Sequence, residues 1–495
     1  MCPWNQRPWF PPVRPLPREP CDPVSRALAV QPTPLGLVNT LRLGLFQGCL
    51  GCLAVIFAGL LNRVMLSELN FPGLLVGGAL AFEQFVAPSR VLFGQISDAH
   101  PWAGRHRIPY IWLGTVLFCA LAVLSIPLIF HVGRLLEAGS QPELALAIAG
   151  LCGLFSLYGL AISLASTPYL ALVIDRTSEA ERPRAVGLIW CMLTVGIVIG
   201  AISINLSLRG LDGVTDPAQL EPVLLAFMVR VALVVLALTV VATVGSEPGA
   251  QQQVPGSAGQ RRDDALTLAQ AWSLITSSRQ VLVFFGFLVM FTLALFLQDP
   301  ILESYGADVF GMPIAATASL NAVWGLGTLA GLLLAGLWIV PRLGKLATAR
   351  LGCQLILTSL LLLALAGLVA KVPVLQVVML LFGLAAGIGT NSALVLMLDL
   401  TLPEAAGTFV GVWGLAQALS RALGKILGGG LFDLARALQS ILHLPESTYL
   451  PYALVFSLEA LVALAALELL GRVNLRQFRE DTGRSLTKVL ALELG

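Results

Sequence analysis

Charged side chains make up only 12% of this 495-residue chain, about half the roughly 25% of soluble domains. Too little polar surface remains to cover a globule in water, and the mean hydropathy of +0.85 agrees. Soluble classes are excluded on this ground, including cytosolic enzymes, nucleic-acid binders and disulfide-knit secreted domains. Neither sign of charge dominates: 30 Lys+Arg against 28 Asp+Glu give a net charge of +2, so no polybasic or polyacidic partner is implied. The eight cysteines form no disulfide framework or metal-finger spacing. Cys2 and Cys21 lie near the N-terminus; Cys49, Cys52, Cys119, Cys152, Cys191 and Cys353 lie in or beside apolar runs. Cys49 and Cys52 have redox-motif spacing but no basic neighbour to make a thiolate. No phosphate-binding P-loop, HExxH or nucleophile elbow occurs in a suitable context, so an enzyme is not expected.

What the chain has instead is long apolar runs. A spanning helix needs roughly 20 such residues. About twelve windows meet this, near 43–62, 73–97, 109–130, 144–174, 185–205, 222–245, 280–298, 314–340, 350–370, 373–398, 408–430 and 450–471. Runs this long without strand alternation are helices, because lipid cannot satisfy open backbone groups. The expected fold class is an all-α polytopic membrane protein.

The basic residues set the orientation. Arg7, Arg14, Arg18, Arg26, Arg105, Arg107, Arg176, Arg182, Arg184, Arg261, Arg262, Arg342, Lys345, Arg350 and the tail from Arg472 to Lys488 fall on one side. Arg63, Arg134, Arg209, Lys371 and Arg436 fall in the opposite loops. Both termini are therefore expected in the cytoplasm. Residues 1–35 form a Pro-rich tail without the core of a signal peptide, expected to be disordered. A six-helix bundle is expected over 36–245, a polar cytoplasmic linker over 246–278, a second six-helix bundle over 279–471, and a cytoplasmic tail over 472–495.

The two halves resemble each other. Asp175, Thr177 and Gly187 recur as Asp399, Thr401 and Gly411 at one offset of 224 residues. Gly196 and Gly200 in the fifth span are echoed by Gly424 and Gly428 in the eleventh, and such pairs let helix backbones approach closely in lipid. Two six-helix pseudo-repeats of one orientation are the layout of the major facilitator fold.

The loop after the second span carries Gly94 and Asp98, followed by Arg105, His106 and Arg107. Major facilitators typically place Gly, Asp and a basic cluster there. One reading is a conformational latch of Gly94, Asp98, Arg105 and Arg107 with Asp175 and Asp399 at neighbouring helix ends; the other is charges that simply hold short loops at the water interface. The counterpart after span eight has Val340 in place of the expected acid.

The segment from Arg90 to Thr115, RVLFGQISDAHPWAGRHRIPYIWLGT, resembles the signature of the PucC/LhaA family, also called the bacteriochlorophyll delivery family. So do Arg42 to Leu69, the exit of span seven from Gln298 to Gly311, and GVWGLAQAL from Gly411. The resemblance covers essentially the whole membrane part, from about residue 36 onward. It implies a membrane assembly factor that hands (bacterio)chlorophyll to light-harvesting antenna polypeptides or shepherds them, in a photosynthetic membrane (thylakoid or intracytoplasmic) or the plasma membrane. Lipid, (bacterio)chlorophyll and antenna polypeptides are the implied partners, with the pigment as cargo and no firm cofactor.

Charge at a helix centre costs roughly 2.5–3.5 kcal/mol on insertion scales, so each instance needs a partner or a purpose. Glu83 and Gln84 sit mid-span in the second helix, with Arg90 two helical turns on, roughly 10 Å along the axis. They offer oxygen ligands to a pigment magnesium, a hard cation, or alternatively form a buried structural pair. The four histidines, His100, His106, His131 and His443, fall in or beside loops, so magnesium ligation by a span histidine is not expected. Gln417, Arg421 and Lys425 make a stripe along span eleven, which lines a cavity or snorkels to the interface. Asn321 in span eight and Glu459 in span twelve read as interhelical hydrogen bonds before ligands. Gln298, Asp299, Glu303 and Tyr305 cluster at the outer exit of span seven, as a site or as a plain outer loop. Two further functions compete with pigment delivery: a proton-coupled transporter of a small solute with Glu83 as proton site, and a pigment-free scaffold for antenna proteins.

Overall fold

The computed structural model describes residues 36–102, 104–139, 141–177, 182–208, 217–247, 279–399, 406–442 and 447–474. The tail 1–35, nearly all of the linker 246–278, most of 472–495, and His443 lie outside them. The side chains of Asp98 and Asp399 are likewise not described.

Among the described residues ten helices are long and apolar enough to cross a membrane. They supply span one (Leu37–Glu68), three (Ile108–Ala138), four (Gln141–Asp175), five (Arg182–Leu208), six (Pro217–Thr243), seven (Arg279–Phe296), eight (Ile314–Leu343), nine (Lys345–Val369), ten (Val372–Asp399) and twelve (Tyr449–Gly471). Spans two and eleven complete twelve. Span two is not the continuous helix expected: Gly73–Phe85 and Ser89–Ala99 are separated by a turn at 86–88, because Pro88 donates no amide and restricts the residue before it. Span eleven, Ala406–Ile441, is continuous but carries Arg421, Lys425, Asp433 and Arg436. These two spans pack on each other.

The packing pairs repeat. Span one lies on five and six, two on four, and three on four and six. Seven lies on eleven and twelve, eight on ten, and nine on ten and twelve. Adding six to each span of the first set gives the second. The two most extensive pairings between the halves are two with eleven and five with eight, which the same operation exchanges, and the π-helical turns of span one also touch span eight and the short helix after span seven. The fold is thus two pseudo-equivalent six-span halves about an approximate two-fold axis. The repeated glycines sit at equivalent joints: a Cβ on Gly196 would fall inside the Gly48 backbone of span one, and one on Gly428 inside the Leu297 carbonyl after span seven. Outward faces carry exposed leucines such as Leu146 and Leu368, as expected where lipid is the solvent.

Several helices outrun their apolar windows. Arg134 lies on span three, paired with Glu221 of span six at 2.7 Å, and Arg436 lies on span eleven over the Phe432 ring. His131 also lies on span three rather than beside a loop. Arg63, expected in a loop, is buried inside span one, which continues through π-helical turns at Ile56–Leu61 and Val64–Glu68. The side carrying residues 36 and 474 is called proximal below, and the side carrying the turn at 69–72 distal.

Candidate functional site between the halves

Pro300 breaks the chain after span seven, and a short buried helix, Leu302–Asp308, follows. The expected outer loop is therefore an interior element: Gln298, Glu303 and Tyr305 are all at most 3% exposed. A break leaves backbone groups to be satisfied. Glu459 of span twelve accepts the Gln298 N–H at 3.2 Å, and the Gln298 side chain donates to the Leu295 carbonyl at 3.0 Å. Tyr305 donates to the Leu363 carbonyl of span nine at 2.9 Å, and Tyr452 to Asp308 at 2.5 Å. Glu303 accepts from Asn321 of span eight. Asn321 thus belongs with the span-seven break, not with Glu83 and Gln84. Asn62 Oδ1, Gln298 Oε1, Glu303 Oε2, Ser304 Oγ and Glu459 Oε2 are buried without a protein partner, so the break collects acceptor oxygens beyond what its own donors use.

Distally, four links among the described residues cross between the halves. Asn62 donates to the Asp299 carbonyl at 2.9 Å, Arg63 to the Thr317 hydroxyl at 3.0 Å, and Asn205 to the Ala315 carbonyl at 3.1 Å. Asp433 of span eleven accepts the Gly73 and Leu74 N–H groups, both at 2.7 Å, where span two begins. A carboxylate there satisfies orphan amides and meets the positive end of the helix dipole. Gly73 and Gly429 make this contact possible, since a Cβ on Gly429 would overlap the Gly73 carbonyl. Arg63 also reaches Glu68 at 3.4 Å.

Proximally, the loop before span three is held by bonds within the first half. Arg107 pairs with Asp175 at 3.2 Å and donates to the Ser97 hydroxyl at 2.8 Å. Glu247, just past span six, accepts the His106, Arg107 and Ile108 N–H groups at 2.6–3.1 Å and so caps span three. Of the residues expected to form a latch, the structure joins Arg107 to Asp175. Arg105 instead exchanges backbone bonds with Trp102. Gly94 lies against Thr167 of span four.

Between distal links and proximal loops lie the central ionisable groups. Lys425 stands 3.9 Å from Asp299. Arg421 stacks on Phe296, 4.4 Å from its centroid, and Phe296 meets Trp324 edge to face. Arg421 also feels the charges of Asp299, Arg90 and Glu83, so the central charges of the two halves address each other. Glu83 and Gln84 are half-buried between Phe82 and Phe85, whose rings are in edge contact, and Arg90 is exposed. No bond joins Glu83 to Arg90 among the described residues; the turn at 86–88 intervenes. Gln417 is half-buried on the Arg421 stripe. Asp433 and Glu247 escaped the sequence reading, because their partners lie 360 and about 140 residues away with no local signal.

This arrangement supplies polar groups and aromatic edges at the centre of a fold also found in solute transporters. The nucleoside transporter NupG superposes with a TM-score of 0.61, 14% identity and coverage of 87% of this chain and 98% of its own. Among relatives, a Rhodobacter capsulatus protein named "Uncharacterized protein in puhA-bchM intergenic region" is 30% identical over 448 residues, 88% of this chain and 89% of its own. Protein PucC of Rhodovulum sulfidophilum is 29% identical over 425 residues, 85% and 90% of the two chains. The profile described as "PUCC protein" matches residues 60–478, so the chain belongs to the PUCC protein family.

Proposed function

We propose that this chain is a non-enzymatic membrane protein of photosynthetic pigment-complex assembly, which delivers (bacterio)chlorophyll to light-harvesting polypeptides or chaperones them. The observation that carries the reading is family membership across the membrane part, on a fold shared with transporters. The central geometry supports it. Glu83 and Gln84 offer hard oxygen donors for magnesium, and Phe82, Phe85, Phe296 and Trp324 offer surfaces for a flat macrocycle. Arg90, Asn321, Gln417 and Arg421 complete the proposed polar set, with Asn321 acting through Glu303. Gln298, Asp299, Glu303 and Tyr305 set the span-seven break against the other half. The latch of Gly94, Asp98, Arg105, Arg107, Asp175 and Asp399 controls the proximal side. In this reading both termini are cytoplasmic, the membrane is photosynthetic, and the domain boundaries are those expected above, with the halves meeting at the linker 246–278.

The test is an absorption spectrum of pigment extracted from the protein, purified in mild detergent from a photosynthetic host, with antenna proteins quantified alongside. Stoichiometric pigment without antenna protein, reduced by Glu83→Ala and Gln84→Ala, supports delivery. Colourless protein holding antenna polypeptides supports the scaffold. Neither one sinks both and favours the transporter fold's other use, proton-coupled movement of a small solute with Glu83 as the proton site.

A further inference from the structure

A pocket of about 200 Å³ opens on the proximal side of the first half, lined by Asn39, Arg42, Leu43, Arg176, Gly245 and Ser246. Its walls come from the start of span one, the end of span four and the turn after span six, elements brought together only by the fold. The lining contains two guanidinium groups and no carboxylate. Arg42 donates to the Ser246 hydroxyl at 2.8 Å, and its Nε is buried without an acceptor. No described residue pairs with the Arg176 side chain. The acids next in sequence are committed elsewhere: Asp175 to Arg107, and Glu247 to the amides that open span three. Among the described residues neither guanidinium group of this open pocket meets a carboxylate, an arrangement that a bound anion stabilises.

We infer that this pocket binds a phosphate-class oxyanion, either the phosphodiester of an anionic lipid headgroup or free phosphate. Paired guanidinium groups match phosphate oxygens in geometry as well as charge. Size agrees, since about 200 Å³ holds roughly six waters, enough for a phosphate and the start of an ester arm. Depth agrees too. Arg42 lies about 8 Å along the helix from Leu37, where headgroups lie against basic pockets between spans. The inference is independent of the pigment reading, because none of its residues belongs to the central site.

The test uses the full-length protein, delipidated in a neutral sugar detergent, with Tm read by intrinsic fluorescence. The probes are dihexanoyl phosphatidylglycerol, dihexanoylglycerol as the phosphate-free control, and inorganic phosphate against sodium chloride of equal ionic strength. Phosphatidylglycerol raises Tm by mass action; dihexanoylglycerol does not. Arg176→Gln weakens the apparent Kd about tenfold or more, and the double change with Arg42→Gln abolishes the shift. Arg176→Lys retains part of it. Since Arg176 makes no side-chain bond among the described residues, its variants fold even if Arg42→Gln does not. An equal shift with inorganic phosphate identifies a free-oxyanion site, and a shift with phosphatidylglycerol alone a headgroup site. No Tm change with either probe, or the same change in Arg176→Gln as in the wild type, overturns the inference.

Discussion

Glu247 and Asp175 both offer a carboxylate to the loop that precedes span three, but their surroundings separate them energetically. Glu247 is 5% exposed and accepts three backbone amides; its charge meets a helix N-terminus away from water, a contribution of about 1–2 kcal/mol. The Asp175 side chain is 51% exposed, so its pairing with Arg107 is screened and contributes at most about 1 kcal/mol. Glu247→Gln is accordingly expected to lower Tm at both low and high salt. Asp175→Asn lowers it less, and only at low salt. Equal losses, or a Glu247→Gln effect that vanishes in salt, would contradict this account. At the Glu303–Asn321 contact, Asn321→Ala strands a buried carboxyl, whereas Asn321→Asp places a second acid beside it. Tm measurements should show both as destabilising, with Asn321→Ala costing about 1–3 kcal/mol.

The joints between helices depend on absent side chains. Gly196→Leu and Gly428→Leu each drive a side chain into the backbone of the neighbouring span, a cost of about 3 kcal/mol or more. Gly150→Leu, with nothing within 4 Å of its Cβ position, should behave as wild type. Gel filtration in detergent checks this: aggregates for the first two and a monodisperse peak for the third, with a monodisperse Gly428→Leu refuting the close-packing argument. These joints were legible in the sequence because a small-xxx-small pair is a local pattern, repeated at equivalent spans. The twelve segments were legible for the same reason, each written in a contiguous stretch of hydropathy. The turn at Pro88 was equally local and was overlooked, because the apolar run continues through it. What could not be read is held by long-range pairs. Asp433 looks like any interface acid until span two is seen beside it, and Arg63 ends an apolar run as a loop residue would. Only the fold shows its guanidinium turned to Thr317.

At the scale of the whole molecule, the cross-half bonds given above lie distally while Arg90 stays exposed near the centre. The protein should therefore admit water-soluble reagents from the proximal side. In a cysteine-free background, Arg90→Cys is expected to react with an impermeant maleimide applied proximally and to resist it distally. Adding Asp433→Ala, which removes the span-two cap, should raise distal labelling. Reactivity from the distal side without that change would mean the distal links do not seal the interior. The central charges were recognisable singly in the sequence, since each interrupts an apolar window; their grouping across spans two, seven and eleven depends on the two-fold arrangement.

The Asp433 carboxylate holds two consecutive amides of span two at once. Separating spans two and eleven distally strips both amides of their acceptor in a single step. Deuterium uptake at Gly73 and Leu74 then becomes a clock for that separation, running in unlabelled, unmodified protein and timing each excursion by the hydrogens it releases.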